Sequence, residues 1–242
     1  MGQAGAVPAS EQEFEAAFAR IHGSIEAGDA DLSRLGFWRL LSQVKADRRL
    51  SVRWADAAGD IDRRAFEARV KLRFPVWFGN LVLVAGTAFG VAAAWTAVRA
   101  SDRILAGVAL VVAGGTWVVS LHCLAHWVVG RAVGIRFTSY FLGGPPPPRP
   151  GLKTDYATYL RAEPGARAWM HASGALASKV APFIALGFFP ASNAPAWAAW
   201  VLLGIGVFTI ITDVVFSRTS SDWKKVIRER RIARTWRDSR AT

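Results

Sequence analysis

The sequence predicts an all-α integral membrane protein with about four transmembrane helices. It also predicts an N-terminal soluble helical region and a short strand-like cytoplasmic insertion between the second and third helices. Two observations support this fold class. Hydrophobic residues make up 52 % of the 242 residues, and the mean hydropathy is +0.23. Charged side chains crowd into residues 1–73, which hold 23 of them, whereas long apolar runs follow. A spanning helix needs about 20 apolar residues.

Residues 1–73 carry the signals of soluble helices. Ser10 followed by Glu13 is a capping-box pattern, which predicts the start of a first helix. Its apolar face would be formed by Phe14, Phe18 and Ile21. A second amphipathic helix is predicted from about Asp31. Its apolar stripe would be formed by Leu32, Leu35, Trp38, Leu41 and Val44. A third helix, at about 60–73, leads into the membrane.

Residues 74–217 form the predicted transmembrane core. The expected spans are about 75–98, 104–130, 168–190 and 195–217. Within the link 131–167, the segment "IRFTSYFL" (135–142) is rich in β-branched and aromatic residues and predicts a strand. The proline-rich run after it predicts a stiff spacer. Residues 218–242 carry nine basic and three acidic side chains and predict an amphipathic helix on an anionic lipid surface.

The distribution of basic residues predicts the orientation. Lysine and arginine crowd before the first span, in the link 131–167 and after the fourth span, but not in the two other links. By the positive-inside rule, both termini and the long link belong in the cytoplasm. The formal net charge of +12 is then explained by contact with the lipid bilayer of the cell membrane, and no nucleic-acid partner is needed.

Ionisable side chains inside apolar spans are costly, and each is a candidate functional residue. The sequence has five of them: His122, His126, His171, Lys179 and Asp213. Since a helix rises about 1.5 Å per residue, His126 lies about 7 Å from the cytoplasmic end of its span, and Asp213 and His171 lie at a similar depth. Three spans are therefore predicted to bring polar groups to one level.

His122 and His126 are one helical turn apart, so both imidazoles project from the same face of a helix. This arrangement can chelate a tetrahedral metal ion, with a carboxylate as the third ligand. Asp213 is the carboxylate at the matching depth, and the set His122, His126 and Asp213 predicts a metal site. The alternative is that the histidines only form hydrogen bonds between helices.

The segment "HCLAHWVVGRAVGIRFTSYFLGG" resembles the zinc-binding region of the site-2 protease family of intramembrane metalloproteases. The matching positions, in order, are His122, His126, Gly134-Ile135 and Leu142-Gly143-Gly144. "MHASGALAS" (170–178) is similar to an alanine- and glycine-rich patch of the family, and Asp213 falls where the family has its third zinc ligand. The resemblance covers about 75–217 and implies hydrolysis of peptide bonds in transmembrane substrates.

One departure from the family pattern concerns catalysis. The glutamate that acts as general base in the family is Cys123 here, and a thiol beside zinc tends to ligate the metal. Two readings follow: a protease with another base, or a non-catalytic pseudoprotease that binds transmembrane clients or serves as a regulatory scaffold. A haem protein is a third reading, but two histidines on one helical face do not offer opposed axial ligands.

Three residues keep more than one predicted role. His171 is a fourth metal ligand, an auxiliary group that stabilises an oxyanion, or a histidine at the membrane interface. Lys179 extends toward the interface or pairs with Asp213. Cys123 is a metal ligand or a small buried apolar side chain.

Overall fold

The computed structural model describes the backbone of residues 10–143, 149–216 and 221–241. Side chains are described in the same ranges, except those of residues 149, 213–216 and 239–241. The described chain is mostly helical, with ten α-helices, one short 3-10 helix (Phe189–Ala191) and three strands. Residues 144–148, which hold most of the predicted proline-rich spacer, lie outside the described residues.

The elements separate into two compact units. The first unit combines residues 1–74, 134–164 and 231–242, and the second combines residues 75–133 and 165–230. The first unit holds helices α1 (Glu11–Glu26), α2 (Phe37–Ala46), α3 (Arg48–Arg53), α4 (Ala55–Arg69) and α7 (Tyr156–Arg161), with strands β1 (Leu72–Phe74), β2 (Phe137–Gly143) and β3 (Arg149–Thr154). The second holds helices α5 (Val76–Arg99), α6 (Arg103–Ala132), α8 (Pro164–Gly187) and α9 (Ala196–Phe216), and helix α10 (Asp222–Ala241) begins in it.

Helix α1 follows the predicted pattern. Ser10 accepts a hydrogen bond from the backbone N–H of Glu13, and the Glu13 carboxylate accepts one from the Ser10 N–H, so the capping box is confirmed. Phe14, Phe18 and Ile21 are buried as expected, and Trp54 stacks on Phe18 with ring centroids 5.0 Å apart. These contacts anchor the core of the first unit.

Helix α2 begins later than predicted. Gly36 has a φ of +77°, a left-handed conformation that ends any helix running from Asp31. The segment before it is a turn, but three residues of the predicted stripe, Leu32, Leu41 and Val44, are buried as expected. Phe37 is fully buried, whereas Trp38 is 44 % exposed, and its predicted place in the core is wrong.

The predicted strand at 135–142 is confirmed as β2. It is the middle strand of an antiparallel sheet of order β1-β2-β3, and Tyr140 pairs with Phe74 on one side and Leu152 on the other. Gly134, with a φ of +83°, ends the turn that leads from helix α6 toward this sheet. Ile135 follows it and is fully buried.

Three helices of the second unit are long and apolar enough to cross a membrane. They are α5, α6 and the segment Pro164–Ala191, which contains α8. Helix α9 is also apolar, but the part of it that is described with side chains, Ala196–Thr212, is shorter than a full span. The described chain therefore contains three candidate spans and one shorter apolar helix.

Small residues form the core of the second unit. Alanines of helices α5, α6, α8 and α9 pack there with Leu110, Trp117 and Leu202. Large apolar side chains point outward instead, and Trp77, Trp95 and Trp200 are each more than 60 % exposed. This distribution suits a lipid environment, in which close helix contacts use small residues and the outer surface is apolar.

Candidate metal centre

Helix α6 presents two imidazoles on one face near its C-terminal end. His122 and His126 are four residues apart, and their ring centroids are 4.7 Å apart. Their Nε2 atoms approach to 3.3 Å, so the two nitrogens point at the same place. The predicted pairing of the two side chains is therefore present.

A carboxylate from a distant part of the chain completes the group. Asp222, the first residue of helix α10, places Oδ2 3.2 Å from Nε2 of His126 and 3.5 Å from Nε2 of His122. His122, His126 and Asp222 are a set of three side chains whose ligand atoms all lie within 4.8 Å of one another. We call this set the metal triad.

Each histidine of the metal triad is held by its other ring nitrogen. Nδ1 of His126 lies 2.6 Å from the carbonyl oxygen of Met170, an acceptor, so Nδ1 carries the proton and donates it. Nδ1 of His122 lies 3.4 Å from the Ser178 hydroxyl. That hydroxyl donates its single proton to the Gly174 and Ala175 carbonyls, so its oxygen accepts from His122.

These hydrogen bonds determine what the three converging atoms carry. With the protons on Nδ1, both Nε2 atoms present lone pairs, and the Asp222 oxygen is also an acceptor. Three acceptors within 3.2–3.5 Å of one another repel unless a metal ion or a shared proton lies between them. Histidines that bind metals commonly donate their second N–H to a carbonyl or carboxylate, as His126 does.

The spacing of the metal triad suits a small tetrahedral cation. Nitrogen and oxygen ligands about 2.1 Å from a tetrahedral zinc ion lie roughly 3.4 Å apart. The three edges of the triad are 3.2, 3.3 and 3.5 Å. Two imidazole nitrogens and one carboxylate oxygen also form the kind of donor set that zinc accepts in proteins, with one position left for another ligand.

Lys225 fixes the orientation of the Asp222 carboxylate. Its Nζ donates to Oδ1 at 3.0 Å, which leaves Oδ2 for the histidines. Burial by itself raises the pKa of Asp222, but the positive charge of Lys225 and its hydrogen bond to Oδ1 lower it. The pKa of Asp222 therefore lies below its ordinary value, and the side chain is ionised at neutral pH.

Helix α8 provides the space that His126 occupies. Gly174 faces the imidazole so closely that a Cβ at this position would overlap the ring, with Nε2 as the nearest atom. Gly174 belongs to the segment 170–178, which is similar in sequence to an alanine- and glycine-rich patch of the site-2 protease family. A glycine at position 174 is thus required by the adjacent histidine.

The other predicted site residues have different surroundings. The side chain of Asp213 lies outside the described residues, so its predicted role as third ligand stays a prediction. Nδ1 of His171 lies 3.8 Å from Oδ1 of Asp222, the oxygen that Lys225 also contacts, and thus outside the metal triad. Cys123 is half-buried. Lys179 donates to the Ala175 carbonyl and lies 5.9 Å from the centre of the Trp223 ring.

The sequence does not mark Asp222 as a site residue, and the reason is physical. Ionisable residues stand out within apolar spans because their desolvation is costly there. Asp222 follows the last apolar segment and lies in a basic stretch, "SSDWKK", that reads as a solvated tail. Its position as the first acidic residue after that segment was the available signal.

Comparison of the chain with protein-family models, with curated protein sequences and with solved structures gives no match. The resemblance to the site-2 protease family therefore stays a prediction based on the residues quoted above.

Proposed function

We propose that this chain is a membrane metalloprotein that holds zinc at the metal triad of His122, His126 and Asp222. The observation that carries the proposal is the convergence of two imidazole Nε2 atoms and one carboxylate oxygen, 3.2–3.5 Å apart, with Nδ1 of each histidine held by another hydrogen-bond partner. The donor set and its spacing favour zinc over the hard cations Mg²⁺ and Ca²⁺, which prefer all-oxygen ligands.

The proposed setting is the cell membrane, with four spans and both termini in the cytoplasm. The apolar surfaces of helices α5, α6 and α8 support the membrane location. Helix α9 would be the fourth span, since its 21 residues match the length that a bilayer requires. The basic residues of the predicted cytoplasmic segments support the orientation, and the metal triad would then lie near the cytoplasmic face.

Elemental mass spectrometry of the detergent-purified full-length chain tests the proposal. We expect about one zinc per wild-type chain and loss of zinc in His126→Ala and Asp222→Asn. Asp213→Asn is the matched variant for the carboxylate predicted from sequence, and we expect it to retain zinc. Wild-type protein that stays free of zinc after supplementation would contradict the proposal, and zinc loss in Asp213→Asn alone would reassign the third ligand.

A second candidate function is peptide-bond hydrolysis in transmembrane substrates, as in the site-2 protease family. Three protein ligands with one open position are typical of catalytic rather than structural zinc. Zinc at such a site supplies a Lewis acid that polarises a carbonyl and lowers the pKa of a coordinated water. Cleavage of a model transmembrane substrate that disappears in His126→Ala would support this function.

Position 123 separates hydrolysis from the non-catalytic alternative. Cys123 stands where the family has a glutamate that accepts a proton during hydrolysis. If the chain binds zinc and cleaves nothing, but Cys123→Glu gains activity, the natural protein is best described as a pseudoprotease. Its function would then be to bind membrane-protein clients or to act as a regulatory scaffold.

A further inference from the structure

Helix α10 packs on helix α8 through one face. Asp222, Val226 and Glu229 are spaced four and three residues apart, so they lie on one side of helix α10. Val226 is buried against Ala168 and Ala172 of helix α8. The same face therefore carries a metal ligand, an apolar contact and an acidic residue.

The acidic residue belongs to a fully buried ion pair. The side chains of Arg167 on helix α8 and Glu229 on helix α10 both have 0 % exposure, and Nε of Arg167 lies 3.2 Å from Oε2 of Glu229. Arg228 contacts the other carboxylate oxygen of Glu229 at 3.1 Å. Two charges are thus removed from solvent two helical turns from Asp222.

The apolar contact alone does not determine where helix α10 lies along helix α8. Ala168 and Ala172 are one turn apart and have the same small side chain, and the other apolar neighbour, Trp223, is only partly buried, so these contacts constrain the register weakly. A shift by one turn would displace Asp222 by about 5.4 Å, which exceeds each edge of the metal triad. The same shift would separate Arg167 from Glu229 and leave buried charges without their partner, which is strongly unfavourable.

We propose that Arg167 and Glu229 are positioning residues that set the register of helix α10 and thereby bring Asp222 to the two histidines. This inference rests on the proposed zinc site. Buried ion pairs contribute little net stability compared with apolar residues of similar size, but they can specify one arrangement among several. In this proposal the pair specifies the geometry of the metal triad and adds little to stability.

The test replaces the pair by apolar side chains in the full-length chain, as Arg167→Met with Glu229→Leu. Zinc affinity is measured by competition with a chelator in detergent, the absorption spectrum of bound Co²⁺ reports the ligand geometry, and thermal unfolding reports stability. We expect stability to be retained, zinc affinity to fall by about tenfold or more, and the Co²⁺ spectrum to change. A purely structural role would leave the affinity and the spectrum of the folded protein unchanged, and that result would overturn the proposal.

A second buried pair provides the matched control. Asp62 and Lys153 form an ion pair in the first unit, with side chains 5 % and 16 % exposed. Asp62→Leu with Lys153→Met should leave zinc affinity as in wild type; an equal loss of affinity would contradict a specific role for Arg167 and Glu229. If the first double variant does not fold, Glu229→Asp, which keeps the charge on a shorter side chain, is judged by the same affinity criterion. Wild-type protein without zinc affinity would instead refute the zinc site itself.

Discussion

At the scale of single residues, the metal triad depends on the orientation of His126. Its Nδ1 is fixed by the Met170 carbonyl and its ring lies against Gly174, so Nε2 has one direction available. Contacts outside the ligand set commonly change metal affinity by about 10- to 100-fold. A substitution of Gly174 therefore tests the metal triad as directly as a substitution of one of its ligands.

We expect Gly174→Ala to weaken zinc binding by about 10- to 100-fold, because the new methyl group would displace the His126 ring. Chelator competition on the purified chain measures the affinity. Gly165→Ala and Gly187→Ala are controls on the same helix, since a Cβ at either position meets no atom within 4 Å. Unchanged zinc affinity in Gly174→Ala would show that the imidazole does not need this space.

Asp62 carries a prediction about pH. Burial raises the pKa of Asp62 above 3.8, although Lys153 partly opposes this effect and Asp155 adds to it. Folding therefore favours the protonated carboxyl. The stabilising contribution is complete below the unfolded-state pKa and is lost as the pH rises through the folded-state pKa.

In the wild-type chain, the free energy of unfolding should fall as the pH rises from about 4, because the contribution of Asp62 is lost. Asp62→Asn should make this fall smaller, since an amide does not titrate. Denaturant unfolding of the full-length chain, followed by circular dichroism at several pH values, measures the change. Asp56→Asn is a suitable control, since the Asp56 side chain is 80 % exposed. A wild-type profile that Asp62→Asn leaves unaltered would contradict the role assigned to the buried carboxyl.

The sequence predicted the histidine pair but not its acidic partner, and the reason is physical. His122 and His126 share a face because helix geometry is local, so a spacing of four residues was enough. Asp222 is 96 residues from His126, and only the packing of helix α10 on helix α8 brings them together. Patterns of spacing carry no information about such a contact.

At the scale of elements, periodicity and composition located most helices and one strand. The strand at β2 was predictable because its β-branched and aromatic side chains favour extended structure. The start of helix α2 was not, because it depends on the left-handed conformation of Gly36. The pairing of β2 with β1 was also not predictable, since β1 lies much earlier in the chain, before helices α5 and α6.

Helices α5 and α6 approach closely at Gly90. A Cβ on Gly90 would overlap the indole of Trp117, whose Nε1 donates to the Thr87 carbonyl at 3.1 Å. We expect Gly90→Ala to lower the free energy of unfolding by about 1–3 kcal/mol through overpacking.

Thermal unfolding in detergent measures this effect of Gly90→Ala. The control is Gly115→Ala on helix α6, where a Cβ would meet no atom within 4 Å. Equal stability of the two variants would mean that helices α5 and α6 separate at little cost.

At the scale of the whole molecule, the membrane topology depends on whether helix α9 crosses the membrane. Four spans place both termini on the same side of the membrane, whereas three place them on opposite sides. We expect fluorescent-protein fusions at either terminus to report the cytoplasmic side, because basic residues crowd before the first predicted span and after the fourth. A C-terminal fusion on the opposite side would show that helix α9 does not cross.

The distance along the chain between the histidines and Asp222 has a consequence for biosynthesis. At about 5–20 residues per second, the 96 residues from His126 to Asp222 take roughly 5–20 s to translate. During that interval the nascent chain offers two imidazoles without their carboxylate. Under the proposed function, the triad is therefore complete only after Asp222 has been synthesised and helix α10 has docked.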